Sequence, residues 1–374
     1  MKRYFLLFAA LFSLICTSLH GEGRLRDYSI CPGIFKTGEN NAITDVRGVK
    51  VGHVTIVKDD DIRTGVTAII PHEGNIFHKK CPAAVFVGNG FGKMSGTTQI
   101  QELGNIETPV ILTNTLSVGS GMQGLITYTL NQKGNENVRS VNAVVGETND
   151  GKLNNIRKRV VTEQDVLQAL NNAKSGPVEE GNVGAGAGTV CFGFKGGIGT
   201  SSRVLPESLG GYMVGVLVQS NYGGILEIDG VQVGRKLGQY SFKNDVENDA
   251  QLSPDGSCMI IVITDAPLDS RNLERLAKRA FMGLAKTGSI ASNGSGDYIL
   301  AISVNKDNLI DSRTSFYFPT LLHNDSMSPL FEAAIEATEE ALWNSLFAAK
   351  TVSSNGITVE ALPVEEVVKM LKER

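Results

Sequence analysis

The stretch from Asp255 to Asp265 constrains the fold most. A Pro254-Asp255-Gly256 turn signal leads into Ser257-Cys258-Met259-Ile260-Ile261-Val262-Ile263-Thr264, an apolar, β-branched run that reads as a buried strand. Ser257 is thereby expected at the first position of a strand, immediately behind a glycine. A second compact polar group, Asn293-Gly294-Ser295-Gly296-Asp297, opens another apolar strand, Tyr298-Ile299-Leu300-Ala301-Ile302. Two serines and a carboxylate at the mouths of neighbouring strands can meet in space. Taken alone, the pattern is weak and is better read as a turn and a strand cap.

With 374 residues the chain can build one large α/β domain or two ordinary ones. Its 41% apolar and 20% charged content marks a globular chain rather than a disordered one. A net charge of −4 with no basic block argues against nucleic acid or an anionic membrane as the main partner. The 42 glycines fall in clusters without a period, which points to tight loops rather than a fibre or a repeat array.

The N-terminus reads as a secretory signal peptide over residues 1–21. Met1-Lys2-Arg3 is basic, Tyr4 to Ile15 is apolar but short for a bilayer, and small and polar residues follow. An uncleaved anchor is the alternative. The location expected is periplasmic or secreted. Beyond this segment Cys31, Cys81, Cys191 and Cys258 show neither disulfide nor zinc spacing, and Cys191 and Cys258 fall in apolar runs that suit buried small hydrophobes.

Strands are expected over Val49–Ile56, Val66–Ile70, Ala83–Gly88, Pro109–Asn114, Val141–Gly146 and Met213–Gln219. Helices are expected over Ser117–Leu130, after Thr162 in a capping-box entry, after Asp269 or Ser270, over Ser328–Ala349, and after Pro363. In the long helix Glu336, Glu339 and Glu340 are expected to face outward. Residues 234–256 read as an exposed linker. The glycine runs at 88–96 and 181–199 match neither a phosphate loop nor a dinucleotide fingerprint in spacing or context. Strands and helices alternate and then pair, so a layered α/β sandwich with helices outside is expected.

For chemistry, a serine hydroxyl needs a base. The histidines are scattered, none lies in a triad context, and no Gly-x-Ser-x-Gly elbow is present. The same scatter gives no metal site, and no cofactor is expected. A different solution is open. If the Gly256–Ser257 bond is cut, Ser257 becomes a chain terminus whose α-amine, with an ordinary pKa of about 7.7–8.0, can act as base for its own hydroxyl.

Several blocks carry a resemblance from about residue 24 to 370. They include Asn41-Ala42-Ile43-Thr44-Asp45-Val46, Gly88-Asn89-Gly90-Phe91-Gly92-Lys93, Thr113-Asn114-Thr115, Cys191-Phe192-Gly193-Phe194-Lys195-Gly196-Gly197-Ile198-Gly199-Thr200, Asp255-Gly256-Ser257 and Thr264-Asp265-Ala266-Pro267. With these the chain resembles the L-aminopeptidase D-esterase/amidase family, which includes the β-peptidyl aminopeptidases. The resemblance implies an αββα sandwich similar to the N-terminal-nucleophile hydrolases but connected differently. It also implies self-cleavage at Gly256–Ser257 into a larger chain (22–256) and a smaller chain (257–374). Ser257 is then the nucleophile, with Ser295 and Asp297 orienting the new α-amine. Asn221 is implied as oxyanion donor and Glu147 as partner of the substrate's free amino group. Some members carry a tyrosine in the loop after that glutamate. Here no tyrosine occurs from 147 to 156, and Asn149 stands in the aligned place, either as a substitute donor or with oxyanion support redistributed. Asn114 is a further candidate.

These readings lead to an aminopeptidase or amidase. It acts on short peptides, amides or esters through an acyl-Ser257 intermediate, and the family suggests a homo-oligomer of cleaved heterodimers. A non-catalytic periplasmic binding protein on the same fold and an acyltransferase similar to ornithine acetyltransferases are the alternatives.

Overall fold

The computed structural model describes residues 23–243, 246 and 255–373. The expected signal peptide, and residues 244, 245 and 247–254 of the expected linker, lie outside the described residues. Along the chain, β1 (Lys50–Lys58) and β2 (Ile62–Ile70) form a hairpin, followed by β3 (Lys79–Gly90), β4 (Val110–Asn114), α1 (Val118–Leu130), β5 (Val144–Thr148) and α2 (Glu163–Asn171). Then come β6 (Gly197–Val204), β7 (Met213–Asn221), β8 (Asp255–Thr264), α3 (Ser270–Lys286), β9 (Gly294–Ser303) and α4 (Ser328–Phe347).

These elements form two stacked sheets. The smaller runs β1-β2-β4-β5, and the larger runs β3-β9-β8-β7-β6 with two short strands added on β3. β8 and β9 pair in parallel, whereas β8/β7, β7/β6 and β9/β3 are antiparallel.

Strand alternation explains the layering. On β8, Met259, Ile261 and Ile263 pack with Leu112 and Val144 of the smaller sheet, forming the core between the sheets. Cys258, Ile260 and Val262 face the other way, against Leu273, Leu276 and Ala280 of α3 and Ala337 and Ala341 of α4. A third cluster joins Val66, Ile111 and Val145 of the smaller sheet to Leu125 of α1 and Val166 and Leu170 of α2. The order is therefore helix, sheet, sheet, helix, the αββα arrangement expected.

Two expectations need correction. Glu336, Glu339 and Glu340 do not face solvent; all three are buried on α4. The segment 24–45, β6 and α3 supply the partners. Arg26 pairs with Glu340 at 2.7 Å, and the fully buried Arg203 on β6 bonds Glu336 and Glu340 at 2.8 Å each. Glu339 pairs with Lys286 of α3 at 2.9 Å. A charged helix face carries no sequence mark distinguishing water from a buried partner. The stretch 234–256 is likewise not one open linker. Val233–Lys236 is a short helix with Val233 and Gly234 buried, and β8 already begins at Asp255, two residues earlier than expected.

Removing Arg203 while keeping its volume should leave Glu336 buried without its cation and Glu340 with Arg26 alone. An Arg203→Met substitution is expected to cost about 3–5 kcal/mol in urea unfolding. A loss below about 1 kcal/mol would mean that the pairing barely offsets its own desolvation.

Candidate active site

The start of β8 places Ser257 between two partner strands. Across the antiparallel pair it lies opposite Asn221, the last residue of β7; across the parallel pair it lies beside Gly296 of β9. The Ser257 hydroxyl is buried, donates to the Gly256 carbonyl at 2.6 Å and accepts from the Gly296 N–H at 3.3 Å. The turn expected before this serine is replaced by two residues of strand.

Asn221 is held at both ends of its amide. Its Oδ1 accepts from the Val190 N–H at 2.9 Å, and its Nδ2 donates to the Asn149 carbonyl at 3.1 Å. Two acceptor and donor contacts of opposite kind fix which end is nitrogen. Asn149 thus meets Asn221 through its backbone; its side-chain Oδ1 turns back to accept from the Gly151 N–H at 2.9 Å. Asn114 does not reach the cleft. It is buried, caps the turn that follows β4 and donates to Thr64.

Glu147 is buried within β5, one residue before its end. Its Oε1 accepts from the Lys93 N–H at 2.9 Å and lies 3.6 Å from the Lys93 ammonium. Its Oε2 accepts from the Thr115 hydroxyl. Lys93 and Thr115 stand in motifs visible in the sequence, but nothing in the sequence marked them as partners of Glu147.

Ser295 and Asp297 do come together: the Ser295 hydroxyl donates to Asp297 Oδ1 at 2.8 Å. Both alternate with Gly296, so they share the strand face of Ile299 and Ala301, whereas Ser257 shares the face of Met259. They sit on the opposite face of the sheet from the Ser257 side chain rather than in the cleft. Asp297 is fully buried, and its Oδ2 has no hydrogen-bond partner. Burial pushes the Asp297 carboxyl up to about 6, against the opposing pull of the Ser295 hydroxyl and the Cys258 N–H.

A cleft of about 690 Å³ opens over these groups, lined by Phe91, Lys93, Glu147, Asn149, Asn221 and Ser257 among others. It holds a hydroxyl, an amide donor and a carboxylate within one cavity. Among the described residues no cluster of three or more His, Cys, Asp or Glu could hold a metal ion.

A model of peptidase family S58 matches residues 41–359. The chain belongs to peptidase family S58. The β-peptidyl aminopeptidase BapA of Sphingosinicella microcystinivorans is 39% identical over 382 residues, covering 96% of this chain and 94% of the relative. The structure of a Burkholderia sp. β-aminopeptidase superimposes with a TM-score of 0.85 at 40% identity, covering 94% of this chain and 99% of the other. The L-aminopeptidase D-Ala-esterase/amidase of Ochrobactrum anthropi superimposes with a TM-score of 0.84 at 34% identity over 94% and 98% of the two chains. That protein is described as a prototype of the serine aminopeptidases and a new variant of the N-terminal-nucleophile hydrolase fold. This S58 peptidase is accordingly a hydrolase of the serine aminopeptidase type.

Asp297 makes the S58 peptidase pH-sensitive in a defined direction. Its folded-state carboxyl is less acidic than in the unfolded chain, so it favours folding fully below pH 4 and loses that contribution as pH climbs through about 6. The loss is on the order of 2–3 kcal/mol. In a Ser257→Ala background, Asp297→Asn should flatten this part of the stability profile between pH 4 and 7.5, read from urea midpoints. Equal slopes with and without the substitution would place the titrating group elsewhere.

Proposed function

We propose that this S58 peptidase is a secreted, self-processing aminopeptidase that acts through Ser257. The observation that carries the reading is the Ser257 hydroxyl at 2.6 Å from the carbonyl oxygen of the residue before it, at the floor of the cleft. The hydroxyl is already beside the Gly256–Ser257 peptide group. Attack of Oγ on the Gly256 carbonyl carbon breaks the C–N bond, passes the hydroxyl proton to the departing Ser257 nitrogen and leaves an ester. Water then hydrolyses that ester. The products are a chain ending at Gly256 and a chain beginning with Ser257, giving the larger (22–256) and smaller (257–374) chains of one domain.

The freed α-amine then serves as base for its own hydroxyl. Asp297 is the register neighbour of Cys258, and its second oxygen is buried without a partner. An amine at Ser257 supplies the donor that this oxygen lacks, and Ser295 keeps the carboxylate aimed. Asn221 has a second N–H left over after its bond to Asn149, available to the oxyanion of a tetrahedral intermediate. Glu147, buried at the cleft wall, pairs with the substrate's free amino group, which confines cleavage to N-terminal residues. Asn149 frames the same wall.

Substrates are short peptides, amides or esters with a free amine, in keeping with the activities named for the relatives, β-peptidyl aminopeptidase and L-aminopeptidase D-Ala-esterase/amidase. The basic-then-apolar N-terminus supports export to the periplasm or beyond, and the family resemblance supports an oligomer of cleaved heterodimers. No observation favours the non-catalytic or acyltransferase alternatives.

Intact mass under denaturing conditions should give two fragments, the second beginning at Ser257. Ser257→Ala should give one uncut chain and no hydrolysis of amino-acid p-nitroanilides; retained turnover would falsify the nucleophile assignment. Glu147→Gln should raise KM by at least about tenfold while kcat changes less than about threefold. A fall confined to kcat would remove Glu147 from substrate binding.

A further inference from the structure

Two buried charges lie just outside the machinery described so far. Lys195 is fully buried, and its ammonium donates to the Gly186 carbonyl at 2.8 Å and the Gly196 carbonyl at 2.7 Å. These carbonyls flank the hairpin at 190–195, whose tight turn uses positive φ at Phe192 (52°) and Gly193 (81°). The ammonium therefore staples the entry of the hairpin to its exit. The first strand of that hairpin carries the Val190 N–H that holds Asn221 Oδ1.

Asp150 is the matching group on the other side. It is 2% exposed, its Oδ1 accepts from Asn154 Nδ2 at 2.9 Å, and its carbonyl accepts from the N–H groups of Leu153 (3.1 Å) and Asn154 (2.9 Å). This closes the turn immediately after Asn149, the residue whose carbonyl holds Asn221 Nδ2. The two loops touch. A Cβ added at Gly188 would fall 2.9 Å from Asp150 Cβ and 2.2 Å from the Arg63 carbonyl, so glycine is needed where they meet. Burial pushes the Asp150 carboxyl up and the Lys195 ammonium down, and each offsets the other's shift by attraction across the loop boundary.

We propose that Asp150 and Lys195 are positioning residues, a carboxylate and an ammonium that brace the two loops clamping the Asn221 amide. Neither lines the cleft, so neither touches substrate. A terminal amide torsion is broad and roughly two-fold, and a flipped Asn221 would turn its oxygen toward the developing oxyanion. The clamp forbids the flip by offering a donor to one end and an acceptor to the other. This inference rests on the proposed oxyanion role of Asn221.

The test is a set of cycles with Asn221→Ala, assayed on an amino-acid p-nitroanilide, with kcat expressed per titrated nucleophile and folding followed by thermal midpoint. Asp150→Asn, which keeps shape, and Lys195→Met should each lower kcat by about 10–100-fold with KM within about threefold. Adding either to Asn221→Ala should cost less than about twofold, because the group they orient is gone. The double variant Asp150→Asn/Lys195→Met should recover part of the Lys195→Met loss, since no lone buried charge remains. If Lys195→Met fails to fold, Asp150→Asn carries the test alone. A folded Asp150→Asn with kcat within twofold of the parent overturns the proposal. So does a loss that persists undiminished in Asn221→Ala when Asn221→Ala is itself strongly impaired. Parental kcat in Asn221→Ala alone would overturn the oxyanion reading and the clamp together.

Discussion

The parallel pairing of β8 with β9 is the constraint on which the site depends. In a sheet otherwise built of antiparallel neighbours, this one parallel register sets Ser257 beside Gly296 and Cys258 beside Asp297. A parallel pair starts both strands at the same edge, so the polar openings of both apolar runs are brought to one end of the sheet. β7 runs antiparallel to β8 and so finishes where β8 begins, which delivers Asn221 to the same edge. Slipping either register by one residue would turn Ser257 or Asp297 to the opposite face. The interior strand cores, almost wholly apolar on both faces, make such a slip costly, so burial far from the cleft fixes the geometry within it.

The outer layers carry a second kind of constraint. α4 is buried on nearly every side, between the larger sheet, α3 and the segment 24–45. Its glutamates are tolerable there only because Arg26, Arg203 and Lys286 reach them. Arg203 projects from β6, the edge strand of the larger sheet, so the ion network ties the described opening segment to the same sheet that carries Ser257. The N-terminal arm is thus part of the hydrolase layer rather than an appendage to it.

Much of this was legible in the sequence where local pattern and tertiary role coincide. The β-branched run after Ser257 could be little else than a buried strand, and Asp269 and Thr162 cap their helices as their spacing implied. What escaped was whatever depended on a partner distant in sequence. Glu340 reads as an outward helix charge until Arg203 and Arg26 are folded against it. Asn149 enters the site by a carbonyl, a group every residue possesses, so no side-chain motif could announce it. Val190 contributes an N–H for the same reason. Lys195 sat in a glycine-rich block whose density suggested loops and hid a buried ammonium. Ser257 stands out in the sequence by its place behind Gly256 at a strand entry, and Glu147 only through the family resemblance; the structure brings both to the cleft.

The histidines bear on how a serine at this position is activated. Among the described residues none lines the cleft. His53 bonds Thr67 at 3.0 Å, and burial pushes its imidazole down to about 4, so at neutral pH it is an uncharged, half-buried group. His72 lies between the carbonyls of Glu73 and Lys79, His78 bonds the Gly134 carbonyl, and His323 sits exposed with Asp325. The carboxylate on the face behind Ser257 is Asp297, which is weakened as an acid by burial and already committed to Ser295. Among the described residues no histidine is therefore placed as a base for Ser257, whereas a cut chain would create a base on the same residue, with no side chain to move. Self-activation by the α-amine follows as the economical proposal, because it needs only the break at the one peptide group that the Ser257 hydroxyl already touches.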